Sequence, residues 1–400
     1  MRLPPGACSG KEGHTSEIKI HPLLDPKRQE MAKRYEKEKR LVGLAGTAMS
    51  LAGLLVFYVS GLSRDLALIA AGRSIAWTFL IYTAVFLAWM TVIGLPSGFY
   101  GGYVLEHKWS FSTENVGGWL ADQAKSFAVG LVMAWIVLAL LLWIMARFPV
   151  WWWLVAGLAM AAVSVAAATL FPVVVAPIFH RYTPIEDKKL ADALRGILAQ
   201  EGLKSGGFFR EDMSRRTRKE NAFLAGLGRT RRVVLGDTLI QHMSVPEIVS
   251  IIAHEVGHYR HKHIWKGVAA GTLQQMAVFL LLGVVMRALF SGFPGSPRDV
   301  LRVLPVMLII GGAVSGIVLG PIGNAVSRHF EKQADLYAVR HIEDRHAFAT
   351  ALAGLADRNL GNAYPAWWVK LLFYGHPPIG ERLSYVGAGR CQGAETPPAK

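Results

Sequence analysis

Phe127-Ala-Val-Gly-Leu-Val-Met-Ala-Trp-Ile-Val-Leu-Ala-Leu-Leu-Leu-Trp-Ile-Met-Ala146 holds no charged residue and no proline. As a helix rising about 1.5 Å per residue, this run is roughly 30 Å long, the thickness of a bilayer's hydrocarbon core. Helices buried inside soluble proteins seldom stay apolar for more than about 14 residues. Similar charge-free runs lie on either side: Leu41 to Ser63, Ser74 to Leu105, Phe148 to Phe179, Val268 to Met286 and Val303 to Ser327. The pattern predicts a predominantly α-helical multi-pass membrane protein with about six transmembrane helices. A composition of 52% hydrophobic and 18% charged residues agrees with this.

Trp151, Trp152 and Trp153 at the mouth of one span, with Trp77 and Trp265 near others, fit an aromatic belt at headgroup level. Lys27, Arg28, Lys33, Arg34, Lys37, Lys39 and Arg40 precede the first span, and positive charge at span ends favours the cytoplasmic side. The N-terminus is therefore expected inside, and six spans return the C-terminus there. The same count puts the basic stretch 180–266 in the cytoplasm. The net charge of +15 lies beside spans, without a nucleic-acid-binding motif. Membrane lipid is the expected partner, and nucleic acid is not. Cys8 and Cys391 sit in opposite tails, so no disulfide framework or thiolate metal site is readable.

Between the fourth and fifth spans the reading changes. Leu190, Ala193, Leu194, Ile197 and Leu198 repeat at helical spacing within 186–202. Asn221 to Leu224 and Arg232 to Leu235, separated by a glycine-containing turn, read as a hairpin. Ser244-Val-Pro-Glu247 is a capping box with proline in the first turn, opening a helix through Ile248, Ile251 and Ile252. A polar, glycine- and proline-containing tail from Ala388 is expected to be disordered.

That capped helix carries His254-Glu255-Val256-Gly257-His258, two imidazoles one turn apart on one face, able to reach a single zinc ion. Glu255 beside them is the expected general base, taking a proton from the attacking water and passing it to the leaving amine. A metzincin would need histidine at Ile264 and glycine at His261, so the third ligand must come from elsewhere. Glu331 and Asp335 lie four residues apart on another helical segment. The first is suited to ligate zinc, the second to hold a ligand histidine's free N–H. His261 and His263, next to Lys262, Trp265 and Lys266 at the start of a span, read as membrane-interface residues.

Taken with other blocks, these residues resemble the type I integral-membrane CAAX prenyl endopeptidases, zinc metalloproteases of the endoplasmic reticulum and of prokaryotic membranes. The resemblance covers about three quarters of the chain. It begins at Glu106-His107-Lys108-Trp109-Ser110-Phe111 and takes in Ala176-Pro177-Ile178-Phe179, Asn221-Ala222-Phe223 and the zinc helix. It continues through Ser327-Arg328-His329-Phe330-Glu331, Asn359-Leu360-Gly361 and His376-Pro377-Pro378 with Glu381-Arg382-Leu383.

The resemblance implies Glu331 as third ligand to one Zn2+ per chain and Asp335 as its supporting partner. It also implies His376 and Arg382 as active-site residues that stabilise the oxyanion, Asn221 and Ala222 as the edge strand that takes the substrate backbone, and membrane helices surrounding a chamber. Eukaryotic members usually have a further leading span and a charged insertion before the zinc helix, so a compact prokaryotic form is expected. Its place would be the cytoplasmic membrane, or the endoplasmic reticulum in a eukaryote, with the zinc site facing the cytoplasm.

The expected organisation is a basic arm at 1–40, four spans over 41–179 and a zincin-like α+β metalloprotease region at 180–266. Two spans follow over 267–327, then a cytoplasmic segment at 328–387 and a tail at 388–400. The expected function is an endopeptidase cutting near the C-terminus of prenylated or other membrane-associated peptides or proteins. A heat-shock-type membrane metalloprotease and a transporter or lipid-binding scaffold with structural zinc remain as alternatives. The sequence carries no signal for oligomeric state.

Overall fold

The computed structural model describes residues 20–69, 75–203, 206–226, 231–293 and 295–387. The first 19 residues, Cys8, Cys391, the hairpin turn at 227–230 and the tail at 388–400 lie outside them.

Among the described residues, six helices are long and apolar enough to cross a membrane: Pro26–Val59, Ile75–Lys108, Val116–Arg147, Trp152–Phe179, His263–Leu289 and Pro297–His341. Each packs on the next in chain order, and the sixth packs back on the first, so the six form a ring. At the end of the ring away from the sheet, residues of all six helices meet in one apolar core. It holds Phe57, Tyr82, Ile144, Trp152, Met286 and Leu301. There Tyr82 donates to Ser63 Oγ (2.8 Å), and Ser63 reaches the Leu301 carbonyl (3.1 Å), tying three segments together. Nearer the middle of the ring the helices bury little of themselves, as Leu44, Val92, Val132, Leu158, Leu273 and Ile317 illustrate.

Two expected boundaries fall inside continuous helices. Pro26–Val59 begins in the basic arm, capped by Asp25, whose carboxylate accepts from the Lys27 and Arg28 N–H groups, and runs on through the span. Pro297–His341 carries Glu331 and Asp335 on the extension of the last span toward the sheet, not on a separate helix. It changes to a π-helical turn at Val314–Leu319, just before Pro321. Pro172 likewise lies in a π turn (Phe171–Val175), and the second span has one at Tyr100–Val104 beyond Pro96. A proline in a helix leaves a carbonyl without its usual partner, and a wider turn absorbs the misfit. Of the three consecutive tryptophans, Trp152 is buried in the apolar core and Trp151 is exposed, so only part of that cluster faces outward.

On the other side of the ring sits a small α+β unit. Strands β1 (Tyr182–Pro184), β2 (Phe208–Glu211), β3 (Ala222–Ala225) and β4 (Arg232–Gly236) form a sheet in the order β1-β2-β4-β3, leaving β3 at an edge. β3 and β4 are antiparallel, as a hairpin requires, with Phe223 opposite Val234. One face of the sheet joins the core formed by helices Lys188–Ala199, Val245–Arg260 and Arg345–Arg358, including Leu194, Val233, Leu235, Ile252 and Phe348. This core fixes the orientation of Val245–Arg260, whose first turn is locked by Glu247 accepting from the Ser244 N–H and hydroxyl, both at 2.8 Å.

Candidate active site

Ile248, Ile252 and Val256 point Val245–Arg260 into the core, which turns His254 and His258 the other way, toward the extension of the last span. The two helices approach at Gly257, which lies against Ala334 and Tyr337. Glu331 is thereby brought to both histidines. His254 Nε2 lies 3.1 Å from His258 Nε2 and 3.3 Å from Glu331 Oε2, and His258 Nε2 lies 3.3 Å from Glu331 Oε1.

A tetrahedral ion with bonds of about 2.0–2.1 Å separates its ligand atoms by roughly 3.3–3.4 Å, and each imidazole nitrogen here lies near that distance from the other ring's nitrogen and from one oxygen of Glu331. Glu331 is buried, and its Oε2 has no hydrogen-bond donor. A buried carboxylate that faces two imidazole nitrogens and has one oxygen without a donor is costly unless a cation sits among them. Two nitrogens and one carboxylate oxygen, with only three protein donors, match an open catalytic site better than a closed structural one. Among the described residues this trio forms a group able to hold a metal ion.

Asp335 supports the triangle. Its Oδ1 lies 2.8 Å from His254 Nδ1, which sets His254's other nitrogen toward the ion position. Asp335 is fully buried and also accepts from Arg382 Nε (2.9 Å), Arg382 Nη2 (2.5 Å) and the Tyr385 hydroxyl (2.6 Å). Burial opposes protonation of His254, but Asp335 and Glu331 outweigh it and raise the ring's pKa from 6.5 to about 9. Arg382 therefore comes into the site as the partner of Asp335, with two of its nitrogens engaged there. His376 is largely exposed, with Nε2 3.3 Å from Glu331 Oε1.

His263 departs from the sequence expectation. It is buried and stacks on Phe330 with ring centroids 4.4 Å apart. Its Nδ1 lies 3.0 Å from His258 Nδ1, and its Nε2 lies 2.9 Å from Gln333 Oε1. If His258 offers Nε2 to an ion, its Nδ1–H donates to His263 Nδ1, and His263 Nε2–H donates to Gln333. These tautomers follow from the partners. Thus His263 backs His258 as Asp335 backs His254. Lys262, in the left-handed conformation (φ 55°), makes the turn that swings His263 behind the site. The i+5 spacing from His258 was the available signal, obscured by the basic and aromatic neighbours.

These groups open onto a pocket of roughly 540 Å3 whose walls include Ala222, His254, Glu255, Glu331, His376 and Arg382. Asn221 joins them, so every residue singled out in the sequence borders this pocket or, for Asp335, lies directly behind it. Along β3, Gly236 N–H donates to the Asn221 carbonyl, which therefore faces β4. Alternation then turns the N–H and C=O of Ala222 and Leu224 to the free edge.

Comparison with known proteins agrees with this architecture. Residues 184–388 match peptidase family M48. The chain belongs to this family. Residues 14–181 match the region described as CAAX prenyl protease N-terminal, five membrane helices. Four of the six candidate spans of this M48 peptidase lie there. It is 28% identical over 404 residues to CAAX prenyl protease 1 of Saccharomyces cerevisiae, covering 92% of this chain and 88% of that one. It is 27% identical to the uncharacterized metalloprotease YhfN of Bacillus subtilis, covering 91% and 86%. Among solved structures it is similar to S. mikatae Ste24p, with a TM-score of 0.81, 26% identity and coverage of 93% and 92%. The M48 peptidase is a multi-pass membrane metalloendopeptidase.

Proposed function

We propose that this M48 peptidase uses one zinc ion, held by His254, His258 and Glu331, to cleave peptide bonds near the C-terminus of prenylated or otherwise membrane-associated substrates. The observation that carries the proposal is the meeting of His254 Nε2, His258 Nε2 and the Glu331 carboxylate, with the two nitrogens 3.1 Å apart and each 3.3 Å from one carboxylate oxygen, at the mouth of a ring of membrane helices. When bound, the ion supplies Lewis acidity at the attacking water and the scissile carbonyl.

The protein's own residues do the rest. Glu255 accepts the proton of the attacking water and returns it to the departing amine. His376, at the open side of the pocket, hydrogen-bonds the oxyanion. Asp335 and His263 hold the two ligand rings in register, and Arg382 keeps Asp335 ionised and in place. Ala222 offers its N–H and C=O to the substrate backbone as an added strand. The substrate's lipid lies among the membrane helices while the peptide lies along β3.

The basic arm and the 180–266 region orient the site to the cytoplasm, and the match to the Saccharomyces protein supports a type I CAAX protease. Purified protein given a prenylated C-terminal peptide and an unfolded soluble protein tests this. Zinc-dependent cleavage of the peptide near its end is expected. Cleavage of the unfolded protein alone would overturn the substrate reading in favour of quality control.

A further inference from the structure

The start of β3 is held differently from the rest of its edge. The residues whose backbone groups face outward alternate as Glu220, Ala222 and Leu224. At Glu220 both groups are already taken by a single side chain. Glu220 N–H donates to Asn359 Oδ1 (2.9 Å), and Asn359 Nδ2 donates to the Glu220 carbonyl (2.9 Å). The carboxamide thus copies the donor and acceptor of a neighbouring peptide group and occupies the place where a pairing strand would lie. Asn359, Glu220, Ala222 and Leu224 all border the pocket that holds His254 and Glu255.

This blocking group is firmly mounted. Asn359 follows helix Arg345–Arg358, which ends with Gly361 N–H donating to the Ala356 carbonyl (2.7 Å) around Leu360 in the left-handed conformation (φ 50°). Leu360 is buried with Tyr35, Leu105 and Phe111. Glu220's carboxylate is fully buried against His242 Nδ1 (2.8 Å) and Arg358 Nε (2.5 Å). Lys219 is anchored to Glu106 (2.6 Å) and the Tyr35 hydroxyl (2.7 Å). Both sides of the Asn359–Glu220 contact are fixed to other parts of the molecule.

We propose that Asn359 is the end-stop of the substrate groove and limits how many residues a substrate carries beyond the scissile bond. The proposal rests on the strand-addition reading above. A substrate added antiparallel to β3 enters beside Ala225 and points its C-terminus toward Glu220. The residue opposite Ala222 pairs freely, but two residues on, about 7 Å further, the backbone meets Asn359. A chain that ends there fits, and a longer one must leave the edge. The groove thereby favours bonds close to a C-terminus.

The test uses the full-length protein and prenylated peptides sharing one scissile bond, with three, five or seven residues after it, and a control series lengthened before it. Wild type is expected to lose about tenfold in kcat/KM between three and five trailing residues and to ignore leading length. Asn359→Gly is expected to flatten the dependence on trailing length, with the longest peptides gaining. Asn359→Ser provides the same shortening should the glycine variant not fold, as judged by zinc content. A wild type indifferent to trailing length, or shortened variants with the wild-type profile, would overturn the end-stop. Wild type that cleaves none of the peptides would instead remove the substrate reading on which it rests.

Discussion

Gly257 meets Ala334 so closely that a Cβ on the glycine would stand 3.0 Å from both the Cα and the carbonyl oxygen of Ala334. Those atoms are backbone and cannot swing aside, so the distance between the two helices, and with it the position of Glu331, depends on a missing methyl group. Gly257→Ala should destabilise the protein by about 1–3 kcal/mol through overpacking and weaken zinc retention. Thermal unfolding and zinc content after dialysis against a chelator would check this, and unchanged retention would show that the acidic helix moves freely.

Asp335→Asn removes the charge that faces both His254 and Arg382. It leaves a buried guanidinium without its carboxylate, a loss of about 3–5 kcal/mol, and a weaker partner for the ligand ring. Zinc affinity should fall about 10–100-fold. Competition with a chromogenic chelator measures this directly.

His263→Ala separates two readings of that residue. A membrane-interface histidine would leave metal binding unchanged. A partner of His258 Nδ1 should, when removed, weaken zinc about 10–100-fold while leaving the number of spans and membrane insertion intact.

The pH dependence follows from His254, whose pKa rises from 6.5 to about 9 in the folded, metal-free protein because Asp335 and Glu331 outweigh burial. A raised pKa means that its stabilising contribution is complete below pH 6.5 and is lost as the pH climbs through about 9. Zinc must displace that proton, so affinity should increase with pH up to about 9, by about tenfold per unit at most. Calorimetry in buffers of different ionisation enthalpy would detect the released proton, and no release at pH 7.5 would contradict the assignment.

Most of the fold was legible because its cues are local. Charge-free runs of bilayer length mark the spans, and the Ser244 to Glu247 cap and helical apolar spacing mark the helix bearing His254. The glutamate and aspartate at 331 and 335 were legible because a four-residue spacing puts both on one helix face. What the sequence left hidden arises from contacts between distant segments. His263 looked like an interface residue until the turn at Lys262 folded it behind His258. Arg382 entered only through the family resemblance, as an oxyanion stabiliser, and its contact with Asp335 spans 47 positions. The role of Asn359 depends on a strand whose edge is visible only once the sheet has formed. Helix continuity through positions 40 and 327 was obscured because charge marks where a helix leaves the membrane, not where it ends.

The central claim is a zinc site whose base is Glu255, and Glu255→Gln tests it most directly. The substitution keeps the size of the side chain and removes its basicity, while His254, His258 and Glu331 are untouched. The expected result is one zinc per chain, as in wild type, with cleavage of a prenylated peptide reduced by at least about 100-fold. Cleavage at the wild-type rate by the zinc-loaded variant would contradict the account.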